Sequence, residues 1–210
     1  MLARVSRILF IGVIGLVGCT SSPPPPDDSA YVQKIQVWRA ERDKAWSESD
    51  DPIPKERHAE LLPLRYFPPD AAYEVPAQLQ LNDPATRPVV ELPTSTGTLR
   101  KMQIVGTLQF TLNGQQLSLG ALAPAGEAVR ALFVPFADVT TGNETYKAGR
   151  YLDIEPTPTG FYTIDFNYAY NPTCAYNKSY ECPYPPPSNR LKVPIRAGEK
   201  APPGEKAPST

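Results

Sequence analysis

The chain has 210 residues and a formal charge of −1, with 41% hydrophobic and 20% charged side chains. This balance suits a single domain with a real core, and without a basic stripe it excludes a surface built to track a nucleic-acid backbone. The 26 prolines, about twice the usual share, disfavour long helices and favour short strands joined by fixed loops.

Residues 1–18 read as a removable leader. Arg4 and Arg7 form its basic start, and Ile8 to Val17 form an apolar run too short to span a bilayer. The run ends in Leu16-Val17-Gly18-Cys19, which resembles a bacterial lipobox, where the cysteine sulfur accepts the acyl group. Lipid-modified Cys19, carrying palmitate-type chains, is therefore the expected membrane partner, because more than one acyl chain gives durable anchoring. Thr20 follows, where an aspartate would suggest retention in the inner membrane, so the expected location is the periplasmic side of the envelope, leaning to the outer membrane. Residues 19–28 then form a lipidated cysteine and a proline-rich spacer, since a polyproline segment is extended and semi-rigid.

A single globular domain is expected over residues 29–199. Residues 28–47 carry the helical signal, with Asp28 or Ser29 as cap and Tyr31, Ile35, Trp38 and Ala45 as an apolar stripe. Arg39 and Asp43 form an i,i+4 pair on the other side, and Glu41 and Arg42 are assigned to a solvated face in preference to a pocket-facing one. Pro54 to Leu62 suggests a short second helical turn containing His58, the only histidine, which is taken as a surface residue.

From Leu64 the pattern turns to β. Tyr73–Leu81 reads as a strand that Pro76 demotes to an edge or bulged strand, and Val89–Leu92 as a short strand. Met102–Leu122 is the clearest hairpin, with Ile104, Leu108, Phe110 and Leu112 on one face and Asn113-Gly114 as the turn. Ala131–Phe136 follows. Arg150–Ile154 and Phe161–Phe166 suggest a second hairpin, and Lys192–Ile195 a last strand. The expected fold is mainly β with an N-terminal helix, an antiparallel β-sandwich or partly open barrel. Ala197 to Thr210, with no large apolar side chain, reads as a disordered tail, and residues 200–210 are left outside the domain.

Several stretches carry a resemblance to a known family: LRYFPPDAAYEV (64–75), VGTLQFTLNGQQLSL (105–119), GRYLD (149–153), DFN (165–167), NPTCAY (171–176) and CPYPPPSNRL (182–191). Together they resemble the bacterial "domain of unknown function" family numbered sixteen eighty-four, over about residues 31–199. Tyr184 departs from it, standing where members often have leucine. The resemblance adds to the fold expectation and implies no activity.

Chemistry is expected between Asp165 and Gly198. With Cys19 assigned to lipid, Cys174 and Cys182 remain as one pair, which outside a reducing cytosol reads as a disulfide. The resemblance leaves a second reading, a pair of buried thiols. A zinc site needs about four ligands, which two cysteines and His58 do not supply, so no metal or cofactor is expected. Arg150, Asp153, Asp165, Asn167, Asn171, Tyr176, Asn189 and Arg190, with Tyr168 and Tyr170 beside them, are the candidate site for a small anionic or sugar-like ligand or an envelope partner. The same residue types also hold proline-rich loops together by bonding backbone groups, and the sequence leaves both readings open. The enzyme alternative is a hydrolase or lyase with Asp165 or Asp153 as base and Arg150 or Arg190 as anion clamp.

Overall fold

The computed structural model describes residues 27–205. The expected leader, Cys19 and most of the expected spacer lie outside these residues. Helix α1 spans Ser29–Ser47 and short helix α2 spans His58–Leu61. Seven antiparallel strands follow: β1 (Glu74–Leu81), β2 (Val89–Pro93), β3 (Leu99–Leu112), β4 (Gln115–Pro124), β5 (Leu132–Phe136), β6 (Arg150–Ile154) and β7 (Phe161–Asp165).

Their order across the sheet is β6-β5-β4-β3-β1-β7, with β2 paired to β3. Strand β3 is long enough to hold two partners end to end on one side. Its first half pairs with β2 from Leu99 to Gln103, and its second half with β1 from Gly106 to Phe110. The sheet curls into a half-barrel around one core that includes Val75, Leu108, Leu119, Val134, Leu152 and Ile164, contributed by six strands. A half-barrel, rather than a sandwich, is therefore the form the mainly antiparallel β fold takes.

The hairpin turn forms at Asn113 and Gly114, at φ of 50° and 76°, the left-handed pair that matches the twist of two-residue hairpins. Alternation fails earlier in β3. The register with β4 slips between Ile104 and Gly106, so Val105 points into the core and Ile104 is only partly buried. A bulge shifts the period-two count by one, moving every residue before it to the other face. Pro76 is not on an edge strand. It sits where β1 pairs only with β7, because pairing with β3 begins at Ala77, so its missing N–H disrupts nothing there.

Four expectations are corrected. Strands β6 and β7 are not a hairpin, for β6 pairs with β5 and β7 with β1, on opposite ends of the strand order. The link from Glu155 to Gly160 instead joins the two ends of the strand order, and an isolated bridge between Tyr151 and Tyr170 brings the chain after β7 back to β6. Residues 192–195 are not a strand: only isolated bridges at Arg190 and Glu199 flank them. The segment 197–205, taken as tail, packs onto the domain, with Ala197, Gly198 and Glu199 buried. Small residues allow this, since Gly198 lies so close to the backbone of Phe166 and Ala169 that a β-carbon would meet their carbonyl oxygens at 2.6 Å. Finally, neither Asp28 nor Ser29 caps α1. The Ser29 N–H donates to Asp27 Oδ1 at 3.0 Å.

Candidate functional site

Helix α1 is held by polar contacts as much as by apolar ones. Ile35 is fully buried, but Arg39 is buried too, donating to the Phe67 carbonyl at 2.8 Å and stacking over the Tyr66 ring at 4.4 Å. Asp43 accepts from the Leu64 N–H at 2.9 Å, and Tyr31 Oη donates to Asp165 Oδ2 at 2.8 Å. The supposed outer pair Arg39–Asp43 therefore faces the domain, while Ala45 of the expected apolar stripe is exposed. A helix with this polar an inner face is docked by specific bonds, each of which satisfies a backbone or side-chain group that burial would leave bare.

This docking brings Trp38, Arg42 and Trp46 to the rim of one cavity. Spaced four apart, they lie along one side of the helix. The opposite wall comes from β6 (Leu152, Asp153) and from the segment after β7 (Tyr168, Tyr170, Asn171, Thr173), and the cavity measures about 490 Å³. Arg42 is its centre. The guanidinium carbon lies 4.4 Å from the Trp46 ring centroid, 5.3 Å from that of Tyr170 and 5.8 Å from that of Trp38. Three ring faces around one cation hold it by their quadrupoles and keep it from folding away. Across the cavity, Asp153 is exposed and accepts from Tyr170 Oη at 2.5 Å.

Two polar atoms on residues of this cavity have no partner among the described residues: Arg42 Nε, a donor, and Asn171 Oδ1, an acceptor. Buried polar atoms are seldom left unpaired. Beneath them lies Glu199, fully buried. Its carboxylate accepts from Asn171 N at 3.0 Å and from Asn171 Nδ2 at 3.1 Å, and approaches Arg42 Nη2 at 3.7 Å. Burial raises the Glu199 carboxyl to about 7, against the opposing pull of Arg42 and the Asn171 bonds. Asn171 Nδ2 also donates to Tyr176 Oη at 3.0 Å, and the Tyr176 ring meets Trp46 edge to face.

The remaining sequence candidates separate. Arg150 is not an anion clamp. Its side chain is fully enclosed, and it donates to Asp138 Oδ2 at 2.9 Å and to the carbonyls of Ile195, Ala197 and Glu199. Asn167 bonds Asp70 through both its backbone partners and lies against Asp165, and Asp165 is in turn engaged by Tyr31. Asn189 is a strand-edge mimic, accepting from Gly120 N at 2.7 Å and donating to the carbonyls of Gly120 and Pro135. These four residues hold loops. Arg190 is exposed and lines a different cavity. His58 is half-buried with Nε2 at 2.8 Å from the Ile53 carbonyl oxygen.

Cys174 and Cys182 are both buried as free thiols, and the Cys174 N–H donates to Cys182 Sγ at 3.1 Å. Hydrogen bonding from Cys182 lowers the Cys174 thiol to about 7, while the same bond together with burial pushes Cys182 up.

Sequence reasoning thus named the sheet-side wall (Asp153, Tyr168, Tyr170, Asn171) and missed the helix side. The signal was present as Trp-x-x-x-Arg-x-x-x-Trp from 38 to 46. Glu199 carried no signal, since a glutamate in a Gly-Glu-Lys run reads as solvated.

The model of a family described as "Protein of unknown function (DUF1684)" matches residues 60–200. The matched span holds the sheet-side wall and leaves out Trp38, Arg42 and Trp46. Among solved structures, the solution NMR structure of the uncharacterized protein from gene locus rrnAC0354 of Haloarcula marismortui is similar. It is 38% identical with a TM-score of 0.63, over 82% of this chain and 95% of that one. No curated protein matches.

Proposed function

Because this chain belongs to the DUF1684 family, whose description assigns no activity, we propose from its site that it is a binding module for a polyhydroxylated ligand, a glycan of the cell envelope. The observation that carries this reading is the unpaired donor on Arg42 and the unpaired acceptor on Asn171, both on residues of one aromatic-walled cavity. A hydroxyl both donates and accepts, so the hydroxyls of a sugar match an unpaired donor and an unpaired acceptor alike. The exposed Asp153 carboxylate supplies a further acceptor, and the Trp and Tyr rings offer apolar surface for the carbon-bound hydrogens of a sugar. The cavity of about 490 Å³ falls in the range of small-ligand sites.

Calorimetric titration with chitobiose and with cellobiose tests it. One of these disaccharides should bind at a single site. Trp46→Ala should weaken that binding about tenfold or more, and Asp153→Asn, at an exposed position, about fivefold, as for turning one charge-assisted hydrogen bond into a neutral one, a difference of about 1 kcal/mol. Silence from both sugars at millimolar concentration, or unchanged affinity in both variants, refutes the glycan reading. The hydrolase or lyase alternative has less support. Arg150 is enclosed, Asp165 is engaged by Tyr31 and Asn167, and Asp153 and Arg190 line different cavities.

The location we propose follows from the leader and Cys19: a lipid-anchored domain on the periplasmic side of the envelope, held off the membrane by residues 19–28, with Cys174 and Cys182 oxidised to one bridge. Cys182 Sγ already lies against the Cys174 backbone. One non-reducing mass spectrum of protein from the membrane fraction checks both points. It should show Cys19 as an acylated N-terminus and Cys174 joined to Cys182, and Cys19→Ser should release the chain or leave its leader uncleaved. A Cys19→Ser protein that matures and stays in the membrane overturns the anchor, and two free thiols overturn the bridge.

A further inference from the structure

The proline run 183–187 does more than turn a corner. It is laid across the gap between β2 and β5 and fastened at both ends. Tyr184 N–H donates to the Pro93 carbonyl at 2.8 Å, Tyr151 Oη donates to the Pro183 carbonyl at 2.5 Å, and Asn189 ties the far end to Gly120 and Pro135. From below, Gly149 at φ +87° makes room for it, since a β-carbon there would lie 2.6 Å from Pro185 Cγ. Proline cannot relax into a different backbone, so the roof is rigid before any ligand arrives.

Under this roof, to which Pro185, Pro186 and Pro187 contribute, lies a cavity of about 700 Å³ lined also by Leu92, Ala137 and Ala148. Val90 and Pro186 also line a neighbouring cavity of about 320 Å³ over β3 and β4, where Ile104 and Leu122 extend the apolar surface. The charges at the rim are unequal. Glu91 is paired with Lys101 at 3.8 Å and Lys147 with Glu205 at 3.4 Å, but Arg190 has no carboxylate partner among the described residues. An open guanidinium at one end of a preformed apolar slot selects a ligand with one planar anion and an apolar body.

We propose that this slot is a second binding site, separate from the helix-walled cavity, and that it takes an amphipathic monocarboxylate, with the carboxylate on Arg190 and the alkyl chain running past Val90 under the proline roof. The test is calorimetric titration of the purified protein with decanoate below its micelle concentration, with 1-decanol and butyrate as probes lacking the anion or the chain. Decanoate should bind at one site, with decanol and butyrate each at least tenfold weaker. Arg190→Gln, at an exposed position, should weaken decanoate at least tenfold while leaving decanol unchanged. Val90→Trp, on the partly exposed edge strand, should block the chain and abolish binding of both. Equal affinity for decanoate and decanol, or decanoate binding that neither variant changes, overturns the proposal. Absence of any decanoate binding overturns it as well, while leaving the disaccharide result at the helix cavity unaffected.

Discussion

Arg150→Met should be among the most destabilising single substitutions in the domain, costing about 3–5 kcal/mol, the usual effect of removing one partner of a buried ion pair. Both side chains of the Arg150–Asp138 pair are fully enclosed. Methionine fills much of the volume but leaves Asp138 as an uncompensated buried charge. Asp138 would keep the Thr140 N–H and hydroxyl and the Ile195 N–H as donors, which soften the loss without neutralising the charge. The second loss is mechanical. Arg150 holds the carbonyls of Ile195, Ala197 and Glu199, and so fixes a segment with no strand of its own. Against a typical domain stability of about 5–15 kcal/mol, the urea midpoint should fall steeply. Arg150→Lys should recover only part, because an ammonium cannot reach four acceptors with a planar fork. The double variant Arg150→Met/Asp138→Asn should be more stable than Arg150→Met alone, since it removes the orphaned charge and keeps an acceptor oxygen for Thr140 and Ile195. An Arg150→Met protein within about 1 kcal/mol of the wild type would contradict this account.

Stability should also fall as pH rises from 4.5 toward 7, and Glu199 should be the cause. Its carboxyl is raised from 4.5 to about 7 because burial disfavours the charged form. The folded state therefore holds this proton more tightly than the unfolded state. The stabilisation is complete below the unfolded value and is lost as pH climbs through the folded one. The interval from 4.5 to about 7 corresponds to about 3 kcal/mol. Arg42 at 3.7 Å, the two Asn171 bonds and Arg150 oppose the shift, and they are the groups that stabilise the carboxylate once it forms. Glu199→Gln removes the titration, so the difference between variant and wild type should move in the variant's favour by about 3 kcal/mol between pH 4.5 and pH 8. Urea unfolding at several pH values reads this directly. Parallel curves for the two proteins would show that Glu199 keeps an ordinary carboxyl.

Local features were legible from residues alone. The helix from Ser29, the Asn113-Gly114 turn and the strands on either side of it arise from neighbours in sequence, through periodicity and the left-handed tolerance of asparagine and glycine. The antiparallel β class followed from many short strands between turns. Even there the bulge after Ile104 was invisible, because an extra residue in a strand changes no composition and shows only in the pairing. Half of the site was legible in the same way: Asp153, Tyr168, Tyr170 and Asn171 lie within a short stretch of chain.

The other half depended on contacts between distant parts of the chain. Arg42 and Arg39 look like solvated helix residues, and become site and anchor only because the helix docks where the chain after β7 returns to β6. The partners in Tyr31–Asp165 are 134 residues apart, and Arg42 reaches Glu199 from the far end of the domain. Such pairings are set by how the sheet curls, which is a property of the whole core. The same holds for the candidates that turned out to be structural. Arg150, Asn167 and Asn189 have the chemistry of ligand-binding residues, and their sequence neighbours do not reveal that backbone carbonyls already occupy them. Residue type determined by itself which groups could bind a ligand. Burial and the supply of competing backbone partners, which exist only in the folded chain, decided which of them remained free to do so.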